Sequence, residues 1–427
     1  MSTTPSVLRR TVVPLLLMIA CPPAVIVLWM ITAHFDGSLE LFLRTIDLPT
    51  FLRLFPRPTR TAALMLATFA ALEWALLVMV PGDIHPGPIT PAGNRPRYRR
   101  NGMSAYAVTH VLLATAALLG SFRLSAVYDE LGSILVITNI AGLVLCGLLY
   151  WKGVHRPSST DAGRSGNLIF DYFWGVELHP TAFGVQLKQY VNCRLAMMGW
   201  SVIVLSCVAK QYEIHGHVSL AMWVSAGLQI AYIIKFFWWE TGYFGSLDIM
   251  HDRFGFYIVW GVMAWLPCLY TMVAQYLVRH PGHLGVPAAL AIFTFGIIAL
   301  FANYDADAQR QRVRETLGET TVWGRKPEIV VATYHTADGE ARESLLLCSG
   351  WWGVARHFHY VAEISLALAW TLPAGFSELL PYGYVAFLTA LLVDRAGRDD
   401  RRCRAKYGEA WDRYCERVPY RIVPFVY

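Results

Sequence analysis

Runs of apolar residues long enough to cross a lipid bilayer recur along almost the whole chain, and they constrain its fold more than any other feature. A bilayer core needs roughly twenty apolar residues per helix, and that length picks out about ten candidates. They are Val12 to Thr32, Ala62 to Val80, Ala105 to Leu124, Ser133 to Trp151, Ala196 to Val208, Leu220 to Trp239, Gly255 to Leu277, Val286 to Ala302, Tyr360 to Leu372 and Leu379 to Leu392. Hydrocarbon offers backbone polar groups no outside partner, so helices must carry these runs, and nothing shows the dyad alternation of a barrel. With 55% hydrophobic and 15% charged residues, the length of 427 counts spans rather than soluble domains. The expected fold class is an all-α integral membrane protein of about ten transmembrane helices.

A formal net charge of +6, with no tail to concentrate it, argues against nucleic acid as a partner. Membrane lipid headgroups and a polyanionic cofactor remain open. Arg9 and Arg10 precede the first run with no small-residue cleavage site after it, the pattern of a retained signal anchor. The eight cysteines form no CxxC pair and read as packing residues, neither a disulfide frame nor a metal site. The densest basic cluster of the first half, Arg95, Arg97, Arg99 and Arg100, is expected on the cytoplasmic side.

Charges at membrane depth are expensive, so their positions are informative. The segment Ser165 to Trp200 is apolar and aromatic but carries Asp171, Glu177, His179, Lys188 and Arg194. That mixture suits a re-entrant or interfacial segment, or a set of charges paired among themselves. Further on, Glu240, Tyr243, Asp248, His251 and Asp252 place five ionisable groups within thirteen residues at the end of a span. Glu240 and Tyr243 stand three apart, as do Asp248 and His251, so each pair can share a helical face. A carboxylate near a tyrosine in an apolar setting is one way to build a proton donor.

Polar residues dominate Asn303 to Ser349, where two strand-like runs flank Asp338-Gly339, the signal of a small β-hairpin in a polar loop. SGWWGVARHFHY follows. The spacing of His357 and His359 hints at a metal, as does that of His215 and His217, but neither has a third ligand at fixed spacing. The last thirty-seven residues, Leu391 to Tyr427, interleave Arg395, Arg398, Arg401, Arg402, Lys406 and Arg413 with Tyr407 and Tyr414. Such a pattern pairs phosphates and stacks a base, or touches anionic lipid. No GxGxxG, Walker loop, HExxH or GxSxG occurs.

Taken in order, ITPAGNRPRYRRNG, GVELHP, FFWWETGYFGSLDIMHDRFGFY, VWGRKP, YHTADGE, SGWWGVARHFHYV and the run RDD-xx-C-xx-KYG-xx-W-xx-YC-xx-VPYRI-x-P-xx-Y resemble the sterol reductase family. That family contains sterol Δ14-, C24(28)- and Δ7-reductases, and WGRKP, TADG and VARHFHY are most similar to its Δ7 branch. The resemblance implies an NADPH-dependent membrane enzyme that reduces a ring double bond of a sterol, most similar to those acting at C7–C8 of a 5,7-diene. It implies N-terminal helices and the re-entrant segment over residues 1–195, and NADPH and sterol pockets within 196–427. The implied cofactor contacts are Arg310, Leu347, Trp352, His359, Tyr360, Asp399, Cys403, Lys406, Tyr407 and Tyr414, with no metal. The membrane would be that of the endoplasmic reticulum in a eukaryote or the inner membrane in a bacterium.

Hydride adds poorly to an unactivated alkene, so a proton has to be supplied as well. Tyr243, Asp248 and Glu240 are the expected acid and its relay, Asp248 polarising the donor. Several positions depart from the family pattern: Ala306 replaces a lysine, His359 an asparagine, Asp394 a histidine, and His179 and Thr181 an Asn and an Arg. They keep two alternatives open, a Δ14-reductase and a non-catalytic sterol-binding protein on a reductase scaffold. Isoprenylcysteine carboxyl methyltransferases resemble only the last part of the chain.

Overall fold

The computed structural model describes residues 7–335, 339 and 341–426. The chain divides into two compact units, Met1–His283 with Ala374–Pro381, and Leu284–Pro373 with Tyr382–Tyr427.

Each of the ten apolar runs lies largely in helix, but among the described residues seven helices are long and apolar enough to cross a membrane: Leu8–His34, Arg60–Met79, Leu131–His155, Gln189–His215, Leu220–Trp238, Phe256–Arg279 and Val286–Glu315. These seven do not confirm the expected count of about ten, for physical reasons. Gly102–Leu118 has 17 residues and Phe358–Thr371 has 14, short of the roughly twenty that a bilayer asks for. Gly383–Tyr407 has 25 residues, but its second half carries the charges of the basic tail.

In the first unit the helix starts are capped as their sequences dictate. Thr59 accepts a hydrogen bond from the Ala62 amide at 3.0 Å and Ser219 from the Met222 amide at 3.2 Å, each satisfying a donor of the first turn. Buried polar side chains then tie helix to helix, the bond type that membrane bundles use where hydrophobic association is weak. Trp260 Nε1 donates to Asn139 Oδ1 at 2.6 Å, while Asn139 Nδ2 donates to the Pro22 carbonyl at 2.8 Å. Trp200 Nε1 donates to Gln229 Oε1 at 2.9 Å. Among the described residues three spans contain π-helical stretches, Leu8–Val12, Gln189–Met197 and Gly261–Tyr270.

The segment Ser165 to Trp200 contains a short helix, Leu168–Trp174, and a two-residue-strand hairpin, Thr181–Ala182 with Val185–Gln186, before entering the π-helix. Its charges are partnered, though not with one another. Glu177 pairs with Lys152 at 2.8 Å, Asp171 accepts from the Ser165 amide at 2.8 Å, and Arg194 pairs with Glu240. The basic cluster at Arg97–Arg100 forms a strand paired with Asp83–Pro86, a hairpin the sequence did not announce.

In the second unit the expected hairpin is present as Ile329–His335 and Ala341–Leu347, in register from Ile329 opposite Leu347 to His335 opposite Ala341. Its turn, expected at 338–339, falls largely outside the described residues. The helix Glu409–Arg417 covers one face: Val330, Ala332, Leu346 and Cys348 pack with Ala410, Trp411, Tyr414 and Val418. Gly408, at φ +52, separates this helix from Gly383–Tyr407 in a conformation other residues resist. All eight cysteines are free and five are buried, as packing residues should be.

Candidate active site

The cofactor candidates lie in the second unit, as two neighbouring groups. The first group is aromatic and basic. Arg310, on Val286–Glu315, pairs with Asp307 at 3.0 Å and lays its guanidinium 4.4 Å from the ring centroid of Trp352. Trp352 donates its indole N–H to the Ala306 carbonyl at 2.7 Å, and packs with Leu347, Val313 and Val322. His359 and Tyr360, in the first turn of Phe358–Thr371, continue the layer, with ring centroids 5.0 Å from Trp352 to His359 and 4.3 Å from His359 to Tyr360. Gly350, at φ +63, makes the turn that delivers the tryptophans.

The second group lines one face of Gly383–Tyr407. Asp399, Cys403, Lys406 and Tyr407 stand four and then three or four residues apart, which is the spacing of neighbours on a helix. Asp399 pairs with Arg402 and accepts from the Cys403 thiol at 3.8 Å. The Lys406 ammonium sits 3.8 Å from the Tyr334 ring centroid and 5.0 Å from that of Tyr407. Tyr414 is buried in the core between hairpin and helix.

Two residues outside the expected set join these groups. His357 stacks on Tyr360 with centroids 5.0 Å apart and brings Nε2 to 3.8 Å from Asp399. Arg314 lies within electrostatic reach of Arg310, Tyr407, Cys403 and Tyr414. Ala306, where the family resemblance called for a lysine, is buried beneath Trp352 and presents no cation. Arg314 stands eight residues, about two turns, further along the same helix. Burial pushes the His357 imidazole down to about 4, so it is neutral at pH 7.

Phosphates need cations and flat rings need flat partners, and these residues offer both. His359 also keeps a buried Nδ1 with no hydrogen-bond partner among the described residues. Such an atom costs free energy unless something occupies it. Arg310, Arg314 and Lys406 beside Trp352, Tyr360 and Tyr407 fit a phosphorylated dinucleotide.

The three expected acid and relay residues lie in the first unit. Glu240 and Tyr243 sit on the helix Glu240–Phe244, and Asp248 on Leu247–Met250. The Glu240 carboxylate accepts from Arg194 Nη1 at 2.6 Å and from the Gly102 amide at 3.0 Å, which ties up both oxygens. Tyr243 Oη accepts from Asn192 Nδ2 at 3.0 Å, and its ring packs against Phe236. Lys188, fully buried, donates to the Ile249 and Asp252 carbonyls at 2.8 and 2.5 Å, gripping the turn after Asp248. Burial pushes its ammonium down to about 7, against the pull of Asp252 and Asp248. His179 Nδ1 shares a hydrogen bond with the Tyr98 hydroxyl at 3.1 Å, and burial together with Lys188 pushes that imidazole down to about 3.

Among the described residues no three His, Cys, Asp or Glu side chains are grouped to hold a metal ion. His215 and His217 bond to the Val278 and His215 carbonyls instead. Sequence reasoning missed Asn192, His357 as a bridging residue, and Asp307. Only the crowding of ionisable residues around them gave any signal.

Helices of this length and polarity, with charged and aromatic clusters in both units, define a multi-pass membrane protein with enzyme-like sites. The model of the "Ergosterol biosynthesis ERG4/ERG24 family" matches residues 11–427, and the chain belongs to that family of sterol reductases. It is 48% identical over 411 residues to "7-dehydrocholesterol reductase" of Arabidopsis thaliana, covering 95% of each chain. It is 36% identical over 421 residues to "Delta(14)-sterol reductase" of Methylotuvimicrobium alcaliphilum, covering 97% of this chain and 94% of that one. A third relative, "7-dehydrocholesterol reductase" of Danio rerio, is 34% identical over 407 residues, covering 92% of this chain and 84% of the relative.

Proposed function

We propose that this chain is an NADPH-dependent reductase of the C7–C8 double bond of a 5,7-diene sterol such as 7-dehydrocholesterol. It would act in the endoplasmic reticulum membrane of a eukaryote or the inner membrane of a bacterium. The observation that carries the reading is the 48% identity, over 95% of both chains, to a protein named for that reaction.

Arg310, Arg314 and Lys406 would pair with the phosphates of NADPH, and Trp352, Tyr360 and Tyr407 would flank its rings. Asp399 accepts from ribose or amide groups, and the open Nδ1 of His359 takes a further polar contact. Leu347, Cys403 and the buried Tyr414 close the apolar wall behind them and keep water out. Bound NADPH supplies a hydride. In the first unit Tyr243 gives its phenolic proton to C8 of the diene, leaving an allylic cation over C5 to C7 that a hydride would quench. Asp248 polarises the donor, and Glu240 anchors the helix on which Tyr243 rides.

Membranes containing the chain, incubated with NADPH and a panel of 5,7- and 8,14-dienes, should remove the ultraviolet absorbance of the 5,7-diene. Loss of the 8,14-diene signal instead would support the second reading, a Δ14-reductase, which the 36% identity over 97% of the chain favours. NADPH binding without any product would leave a sterol-binding scaffold.

A further inference from the structure

Three side chains of one π-helical segment hold the short helix that carries Tyr243. Within Gln189–Met197, Gln189 Nε2 approaches Glu240 Oε1 at 3.5 Å and Arg194 Nη1 bonds the same oxygen at 2.6 Å. Between them in sequence, Asn192 Nδ2 reaches Tyr243 Oη at 3.0 Å. Five residues of an α-helix turn through about 500°, which would leave positions 189 and 194 about 140° apart. The wider i to i+5 winding of a π-helix brings them onto one side, and such segments recur at functional sites.

Asn192 is 3% exposed, and its Oδ1 has no hydrogen-bond partner among the described residues. Leaving a buried carbonyl oxygen unsatisfied costs free energy, a penalty an apolar residue of the same shape would avoid. The bond its amide nitrogen makes to Tyr243 offsets that cost.

We propose that Asn192 is the positioning residue of the proton donor: its amide N–H, given to the Tyr243 oxygen, fixes the phenol and stabilises the phenolate left after the proton departs. This rests on the reading of Tyr243 as the acid. In the step itself the phenolic O–H bond breaks and its proton forms a C–H bond at the alkene carbon. The electron pair stays on the tyrosine oxygen, facing the Asn192 amide, until water returns a proton. A hydrogen bond donated to that oxygen favours the charged form over the neutral one.

The test compares Asn192→Leu, Asn192→Asp, Tyr243→Phe and the double variant Tyr243→Phe/Asn192→Leu of the full chain in detergent micelles, with NADPH and a 5,7-diene. Asn192→Leu should lower kcat by about 10- to 100-fold and leave KM for NADPH within about twofold. It should also move the high-pH limb of the kcat profile upward and enlarge the solvent deuterium isotope effect. In the Tyr243→Phe background it should cost nothing further, because the two residues act as one unit. Should Asn192→Leu fail to fold, Asn192→Asp carries the test: a carboxylate against the phenol oxygen should move the high-pH limb further up and lower kcat. A wild-type kcat and pH profile in the Asn192 variants, with Tyr243→Phe inactive, would overturn this proposal and leave the acid assignment standing. Wild-type turnover in Tyr243→Phe would overturn the acid assignment, and this proposal with it.

Discussion

Arg194 and Glu240 form an ion pair at 2.6 Å in which neither side chain exposes more than 1% of its surface. The pair is closed by Asn101 Oδ1, which accepts from Arg194 Nη2 at 2.9 Å, and by the Gly102 amide on Glu240. One arrangement thus joins the π-helix, the start of Gly102–Leu118 and the helix bearing Tyr243.

Breaking such a pair from one side leaves a buried charge and costs about 3–5 kcal/mol. Glu240→Gln should therefore lower the thermal unfolding temperature in micelles and reduce the yield of folded chain. A variant with near wild-type Tm but little turnover would instead return Glu240 to a relay role.

Lys406 and Tyr414 stand differently toward the cofactor. Lys406→Ala should raise KM for NADPH by roughly tenfold, about 1.4 kcal/mol, with kcat little changed. The buried Tyr414 belongs to the core between hairpin and terminal helix, so its test is Tyr414→Phe, which keeps the ring; Tyr414→Ala should unfold that corner. Both effects are read from initial rates at saturating sterol, with membrane content of the chain as control.

Acid should weaken the second unit through His357. Its imidazole is held down to about 4 by burial, against an ordinary value of 6.5, so the unfolded chain binds the proton more readily. The stability it contributes is complete above about pH 6.5 and is lost as pH falls through the window down to about 4, by up to about 3 kcal/mol. His357→Gln should flatten that part of the stability curve measured by denaturant titration. A parallel curve for the variant would assign the acid sensitivity elsewhere.

Gly350 has φ +63, and a Cβ there would lie 2.2 Å from Gln309 Oε1, the atom that accepts from the Trp351 amide. Gly350→Ala should displace Trp351 and Trp352 together, raising KM for NADPH by at least several-fold, roughly 1–3 kcal/mol of backbone strain. Tryptophan fluorescence and NADPH titration would measure both consequences.

Much of this protein is legible in one dimension because apolar length and motif order are one-dimensional properties. The runs from Val12 to Leu392 declared a helical membrane protein, since hydrocarbon allows a chain of this pattern no other backbone solution. The tail motif through Lys406 and Tyr414, with SGWWG and WGRKP, carried the family. The Asp-Gly signal placed the hairpin that became Ile329–His335 and Ala341–Leu347. Three of the ten expected spans are not confirmed: hydropathy does not reveal where a short helix stops, as Gly102–Leu118 does after 17 residues and Phe358–Thr371 after 14, and Gly383–Tyr407 runs on into the charged tail.

Partnership was not legible. Glu240 and Tyr243 were visible as a pair three residues apart, but Arg194 and Asn192, which grip them, are 46 and 51 residues away in sequence. His357 reads as half of a failed metal motif, and only folding sets it against Tyr360 and Asp399. Which residues are apolar or charged, and in what order, is fixed by the chain itself. Which buried charge meets which donor depends on helices returning past one another, and on a π-helical turn that brings Gln189, Asn192 and Arg194 to bear on one short helix.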